Sequence, residues 1–386
     1  MKDTLQLAIT EQELGRRLKA ARENADLTQS RVAEQMEFAR TTLVAIEKGE
    51  RHVRAPELLR LADIYSTSVN RLLRPDAIHE EISPSFRREI RAVPRRAQAA
   101  QEAVKLLANL STAYAEVEAL LGRRRSFVLP PPRPVPSRRL DEAANDLAQE
   151  IRDRLNFRLG PVTALPQALE REWGFRIFLH PVDSSVSGVF AFTESLGPNV
   201  LLNRKHPISR TNWTLAHELG HFLTDRDGAN VVLLDQHLIE PSERFVDKFA
   251  AAFLMPASAL RRQFNEISEG GESFSARNLI FLAHEFQVSL QAMTLRLTDL
   301  GLLRKGTYEA LKERGLGDET VDRVLEDTPL ASWQYVPKLH LLVFEALDRE
   351  LISEGQASDL LALDRTEVRE LGEELGGNIR LDLGAS

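Results

Sequence analysis

Five prolines within seven residues (Pro130, Pro131, Pro132, Pro134 and Pro136) interrupt this chain in the stretch RRRSFVLPPPRPVPSRR. Proline has no amide hydrogen to donate, and its ring clashes with the preceding turn, so neither a helix nor an interior strand can run through such a segment. The chain must therefore fold as separate pieces on either side, joined by an extended polyproline spacer rather than a floppy tether. The expected division is a helical module at 1–75, a helical and proline-rich linker at 76–139, a second domain at 140–300 and a helical region at 301–386.

The leading piece reads as five short helices. Apolar residues recur at helical spacing: Leu14, Leu18 and Ala21, then Val32, Ala33 and Met36, then Leu43 and Ile46, then Leu58, Leu61 and Ile64, and finally Val69 and Leu72. Thr28 and Ser68 are placed to cap helices, and Pro56 sits where a first helical turn tolerates it. One or two further helices, broken at Pro94, are expected over 84–121. Past residue 140 two helices lead into a strand at GFRIFLHPV and two more strands in VSGVFAFTESLGPNVLLN, turning at Gly-Pro-Asn. Helices around 210–224 and 241–255 follow, and everything beyond about 257 looks helical. The expected fold class is mainly α with a small β-sheet, α+β, and no internal repeat is visible in the sequence.

Charge is uneven along the chain. The first 139 residues carry a net +7 and the remainder a net −14. Such a basic front on an acidic body suits a nucleic-acid contact confined to one module, because phosphate neutralisation needs local rather than global positive charge. With no cysteine in 386 residues, disulfides, thiolate zinc sites and cysteine nucleophiles are excluded. Any metal must be held by nitrogen and oxygen ligands. The start MKDTLQLAIT lacks the basic-then-apolar pattern of a signal peptide, and no run of about 18 apolar residues is present, so a cytoplasmic protein without a membrane contact is expected.

The stretch TLAHELGHFL carries chemistry. On a helix, residues four apart share a face, so His217 and His221 can offer imidazole nitrogens to one ion while Glu218 reaches a water beside it. The apolar frame of Leu215, Ala216, Leu219, Phe222 and Leu223 implies a buried helix, in which two histidines and a glutamate are costly without a ligand. A catalytic zinc keeps three protein ligands and one open position. Glu243 on the next helix is the best third ligand, with Glu240 and His237 as alternatives in loop-like context. Asp247, four residues after Glu243, can accept a hydrogen bond from a ligand histidine and fix its tautomer. Zinc is the expected ion, and manganese accepts the same donors. For a second donor to a developing oxyanion, His237, His284, Arg210 and Tyr308 remain open, and an exposed edge of the 188–202 hairpin is a candidate surface for an extended substrate.

Two resemblances follow from these residues. LTQSRVAEQMEFARTTLVAIEKGER resembles the helix-turn-helix of XRE/Cro-type repressors: Thr28 and Gln29 open the second helix, residues 39–45 supply a base-reading face, and Ile46, Glu47, Gly49 and Arg51 follow. The resemblance implies DNA contacts by Gln29, Arg40, Thr41, Thr42 and Arg51 and a dimer on paired half-sites. One departure stands out. Met36-Glu37-Phe38 occupies the turn where a glycine is usual, so Glu37 must take a less favourable conformation or the turn must differ. SRTNWTLAHELGHFL followed by SERFVDKFAAAFLMP resembles the ImmA/IrrE metallopeptidases, with a thermolysin-like arrangement. That resemblance implies His217, His221 and Glu243 as metal ligands, Glu218 as the catalytic glutamate, Asp247 beside them, and Phe249, Ala250, Leu254, Met255 and Pro256 as packing residues.

The ImmA/IrrE resemblance implies cleavage of a repressor to relieve transcriptional silencing in stress, mobile-element or defence responses. The leading reading is therefore a regulator of a double-stranded DNA operator, fused to a zinc endopeptidase that cuts itself or a separate repressor. A cut between 75 and 139 would detach the reader from a dimerising body, and since proline disfavours many scissile bonds, 84–121 is the expected region. The alternatives are a transcription factor whose peptidase-type domain is a non-proteolytic sensor, and an antitoxin-like binding protein. LISEGQASDLLALDRTEVRELGEEL near the end has a helix-turn-helix look. Its acidity points to packing, dimerisation or regulation rather than DNA.

Overall fold

The structure is a computed structural model that describes residues 9–25, 27–65, 67, 69–73, 94–123, 127–226, 230–233, 241–269, 274–317 and 335–375. The expected cap Ser68, the alternative ligands His237 and Glu240 and the stretch 84–93 lie outside them. The fold is mostly helical with one small sheet, as the α+β expectation has it. The chain divides into two compact units: one comprises residues 1–84, 108–124 and 339–386, the other 85–107 and 125–338. The first unit thus draws on both ends of the sequence, which a strictly linear division does not anticipate.

Five short helices open the first unit: α1 Glu11–Asn24, α2 Gln29–Gln35, α3 Arg40–Glu47, α4 Ala55–Ile64 and α5 Val69–Leu73. The Thr28 hydroxyl caps α2 by accepting from the Arg31 amide (3.3 Å), and Pro56 lies in the first turn of α4. The expected periodic residues, Leu14, Leu18, Val32, Leu43, Ile46, Leu58 and Leu61, are all buried in one core. Glu37 does adopt the unfavourable conformation, at φ 57°. A buried ion pair braces the bundle, with Arg22 of α1 donating to Glu47 of α3 at 2.5 and 3.1 Å.

Helix α6, Pro94–Leu120, begins at the proline expected to break it. Every residue from Leu110 to Glu118 is buried. A scissile bond in that part of the expected cut region would be reachable only after unfolding. At the carboxy-terminal end, α15 Lys338–Asp348, α16 Glu354–Leu361 and α17 Arg365–Glu374 are helices, the last two opened by capping boxes on Ser353 and Asp364.

The second unit builds a sheet of order β1-β3-β2-β4 from β1 Arg176–His180, β2 Val186–Thr193, β3 Gly197–Asn203 and β4 Asn230–Leu233. Strand β1 runs parallel to β3, and the other pairs are antiparallel. Two expectations are corrected here. The hairpin turns over residues 194–196, not at Gly-Pro-Asn: Gly197 already pairs with Thr193 and Pro198 with Phe192, so the proline lies within the ladder. Among the described residues both hairpin strands have neighbours, β1 along β3 and β4 along residues 186–190 of β2, so over that length the hairpin offers no free edge to an extended substrate. Strand β4 was not foreseen.

Helices α7 Leu140–Arg154 and α8 Leu165–Trp173 precede the sheet, while α9 Ile208–Thr224 and α10 Pro241–Leu254 pack on one another. Two glycines permit the close approach. A Cβ on Gly220 would lie 2.7 Å from Cγ1 of Val246 on α10, and one on Gly188 of β2 would lie 2.6 Å from Cγ2 of Thr214 on α9. Leu215, Leu219, Phe222 and Leu223 of α9 are each at most 2% exposed, and burying such a side chain contributes about 1.5–3 kcal/mol. Behind them α11 Ala257–Glu269, α12 Ala276–Glu285, α13 Leu290–Asp299 and α14 Thr307–Glu313 complete the unit.

The proline-rich segment is not a free spacer. Phe127 lies flat on Gly174, Leu129 and Val135 pack on the core, and the Arg133 amide donates to the Leu223 carbonyl at the end of α9 (2.8 Å). Arg226 donates to the Pro130 carbonyl while its guanidinium sits over Phe222 and Phe192. Residues 127–135 are therefore a strap fastened to the second unit.

Candidate metal centre

The periodicity of TLAHELGHFL places His217 and His221 one turn apart on α9, where both rings are buried (7% and 6% exposed). Their Nε2 atoms face each other at 3.1 Å. Glu243, in the first turn of α10, spans them: one carboxylate oxygen lies 3.4 Å from His217 Nε2 and the other 3.4 Å from His221 Nε2. Donor atoms of His217, His221 and Glu243 all fall within 4.8 Å of one another, the only His/Cys/Asp/Glu grouping of metal-holding geometry among the described residues. A tetrahedral zinc with bonds of about 2.0–2.1 Å separates its ligand atoms by about 3.3 Å. The 3.1–3.4 Å separations match that span, and two imidazoles with a carboxylate are a donor set zinc accepts.

Asp247 follows Glu243 by one turn on α10, and its carboxylate lies 3.0 Å from Nδ1 of His217, leaving Nε2 as the ring atom that faces Glu243. Burial works to lower the His217 pKa but is outweighed by the bonds to Asp247 and Glu243, so the pKa is pushed up. For Glu243, burial would raise the pKa, yet the two imidazoles hold the carboxyl well below its usual range. The converging donor atoms of His217, His221 and Glu243 are suited to sharing one cation.

Glu218 behaves differently from these groups. It is wholly buried, neither carboxylate oxygen has a hydrogen-bond partner, and burial pushes its pKa up to about 8. An unsatisfied buried polar group costs about 1–3 kcal/mol, and more when charged. No structural role compensates that cost here. A carboxyl poised near neutrality next to a histidine–glutamate cluster is suited to exchanging a proton with a ligand.

The positions read as DNA contacts separate into two sets. Arg40 and Thr41, at the start of α3, are exposed, and Thr42 is half-buried. Gln29 and Arg51 are engaged inside the domain. The Gln29 amide donates to Glu47 (2.9 Å), and Arg51 donates to Glu57 (2.8 and 3.3 Å) with its guanidinium over Phe38. Arg40 reaches the Gln29 carbonyl oxygen at 3.5 Å, so a chain of polar side chains runs from Arg22 through Glu47 and Gln29 to Arg40. Of the open oxyanion donors, Arg210 donates to Ser187 Oγ (3.2 Å).

Sequence reasoning missed two buried arginines, Arg152 on α7 and Arg296 on α13, that bond carbonyls at the end of α10. Arg152 donates to the carbonyls of Arg158, Gly160 and Phe253, and Arg296 to the Met255 carbonyl (3.1 Å) and to Asn145 Oδ1 (2.7 Å). The available clue was an arginine on the apolar stripe of its helix, Arg152 after Ala148 and Ile151, and Arg296 between Met293 and Leu297.

Comparison with known proteins agrees with this anatomy. Residues 170–298 match the family model of the IrrE N-terminal-like domain, peptidase family M78, and residues 13–74 match a helix-turn-helix domain. No curated protein matches the chain. Among solved structures, the chain is similar to ComR from Streptococcus suis (14% identity, covering 95% of this chain and 88% of that one, TM-score 0.16). It is also similar to apo ComR from S. thermophilus (12%, 95% and 95%, TM-score 0.16). The competence regulator ComR from Streptococcus vestibularis, in its apo form, gives 12%, 95% and 98%, with a TM-score of 0.16. At such TM-scores these likenesses carry no argument.

Proposed function

We propose that this chain, which joins a helix-turn-helix domain to an IrrE-like domain of a peptidase family, is a DNA-binding transcriptional regulator whose second domain is a zinc-dependent endopeptidase. Its substrate is a repressor or the chain itself, and cleavage relieves silencing. The observation that carries the reading is Glu218, fully buried with both oxygens unpartnered beside the His217–His221–Glu243 cluster. In this reading His217, His221 and Glu243 hold the ion and Asp247 orients His217. Arg40, Thr41 and Thr42 read bases in the major groove, braced by Gln29 and Arg51. A single reader per chain implies a homodimer on paired half-sites.

Zinc bound at this cluster supplies Lewis acidity, polarising a peptide carbonyl and acidifying nearby water; manganese would serve the same donors. The chain's own groups do the rest. Asp247 accepts from Nδ1 of His217 and so presents the Nε2 lone pair inward. Glu218 takes a proton from the attacking water and delivers it to the departing amine, a role its raised pKa suits. The apolar frame of α9 keeps bulk water from competing for Glu218.

The test is a cleavage assay with zinc-loaded full-length protein, alone and with candidate repressors, in the presence and absence of single-stranded or duplex DNA. Cleavage that disappears in Glu218→Gln while zinc stays bound is the expected result. Zinc-loaded protein that cuts nothing under any of these conditions overturns the peptidase reading in favour of a sensor.

A further inference from the structure

The turn between α2 and α3 has the backbone geometry of a common helix ending, which also closes α3, α7 and α15. Between α2 and α3 the Met36, Glu37 and Phe38 amides donate to the carbonyls of Val32 (2.9 Å), Glu34 (3.1 Å) and Ala33 (2.8 Å), with Glu37 at φ 57°. Between α12 and α13 the Phe286, Gln287 and Val288 amides donate to Leu282, His284 and Ala283, each at 3.0 Å, with Gln287 at φ 53°. The donor and acceptor spacings are identical, as they are at the ends of α3, α7 and α15. A further instance joins α16 to α17, with Ala362 at φ 52° and the Leu363 amide on the Ser358 carbonyl (3.2 Å).

The instance between α12 and α13 is turned inward. Where α3 leads with exposed Arg40 and Thr41, α13 begins with buried Leu290, and Met293, Thr294, Arg296 and Leu297 are also buried. Helix α13 and the turn before it grip the two helices of the metal centre. Asn212 of α9 donates to the backbone and side-chain oxygens of Gln287, each at 3.3 Å. Arg296 donates to the carbonyl of Met255, the residue after α10, and Lys248 of α10 donates to Asp299 at 2.7 Å.

We infer that α12, its turn and α13 act as a clamp, with Arg296 and Gln287 as positioning residues that set the spacing between the histidines of α9 and Glu243 of α10. The inference rests on the metal-centre reading above. Its physical basis is tolerance: ligand bonds near 2 Å hold within about 0.2 Å, so a small slip of α10 against α9 degrades the site.

Full-length protein titrated with Co2+ tests it, because the visible absorption bands of tetrahedral cobalt report geometry as well as occupancy. Arg296→Met keeps the volume and removes the donors. It is expected to weaken Co2+ binding about 10–100-fold and to diminish the tetrahedral bands, with Arg296→Lys intermediate and duplex-DNA binding unchanged. Wild-type affinity and spectrum in a folded Arg296→Met protein overturn the clamp. If that variant does not fold, Gln287→Gly, which keeps the turn, decides by the same readouts: weakened binding supports the clamp and unchanged binding overturns it. A wild-type chain with no cobalt site instead overturns the metal-centre reading on which the clamp depends.

Discussion

Glu37 stands where the resemblance to repressors calls for glycine, and its φ of 57° shows that the turn kept its geometry at the expense of strain. The left-handed region costs a non-glycine residue about 1–2 kcal/mol, while glycine gives back part of the gain through unfolded-state entropy. The Glu37–Arg60 pair, at 3.5 Å with both side chains exposed, contributes little. Glu37→Gly should therefore stabilise the reader by about 0.5–1 kcal/mol, seen as an upward shift of its thermal transition. Glu57 supplies a pH dependence. Burial alone would raise its pKa, but the bonds from Arg51 and the Arg54 amide outweigh it and hold the carboxyl below its usual value. A depressed carboxylate contributes stability that is present above its unfolded pKa and lost as pH falls through the folded one. Acid should thus loosen the reader progressively, and Glu57→Gln should flatten that dependence in melts collected from neutral pH downward. That His217, His221 and Glu243 come together was legible because ligand chemistry restricts both residue type and spacing. Arg296 was not, since a lone arginine on an amphipathic helix ordinarily lies along the surface with its head in water.

At the scale of elements, helices with strong periodicity and caps were readable, as Thr28 and Pro56 illustrate. The hairpin turn was misplaced because Gly-Pro-Asn is rich in turn formers, whereas the turn was decided by cross-strand register, which sets Pro198 opposite Phe192. Strand β4, four residues long, has too little pattern to declare itself, and only with it in place is β2 seen to be covered along residues 186–190. The proline segment was correctly read as neither helix nor interior strand, yet its docking depends on Gly174, distant in sequence. Gly174 has φ 66°, and a Cβ there would lie 2.2 Å from the Phe127 ring. Gly174→Ala should cost about 1–2 kcal/mol from backbone strain alone and should also lift Phe127, exposing the strap to limited proteolysis. Adding Phe127→Ala should remove the steric part but not the backbone part, so the two changes should be non-additive in denaturation measurements.

For the molecule as a whole, the charge asymmetry belongs to the linear sequence and not to the two compact units, since the first unit joins amino-terminal residues to the acidic carboxy-terminal ones. The helix-turn-helix match at 13–74 lies in the basic front, and the peptidase-family match at 170–298 lies in the acidic body. One turn geometry recurs at several helix ends, among them the turns before exposed α3 and buried α13, and the sequence hides it because only backbone bonds and a single positive φ define it. Among the described residues no helix is long and apolar enough to cross a membrane. The claim on which the account turns is that α9 and α10 together form one metal centre. Zinc stoichiometry in full-length protein, measured by mass spectrometry on the wild type and on Glu243→Gln, tests it most directly. One zinc per wild-type chain is expected, with a loss of at least about tenfold in affinity for the variant. A wild-type chain free of zinc, or zinc bound equally well without the Glu243 carboxylate, would contradict it.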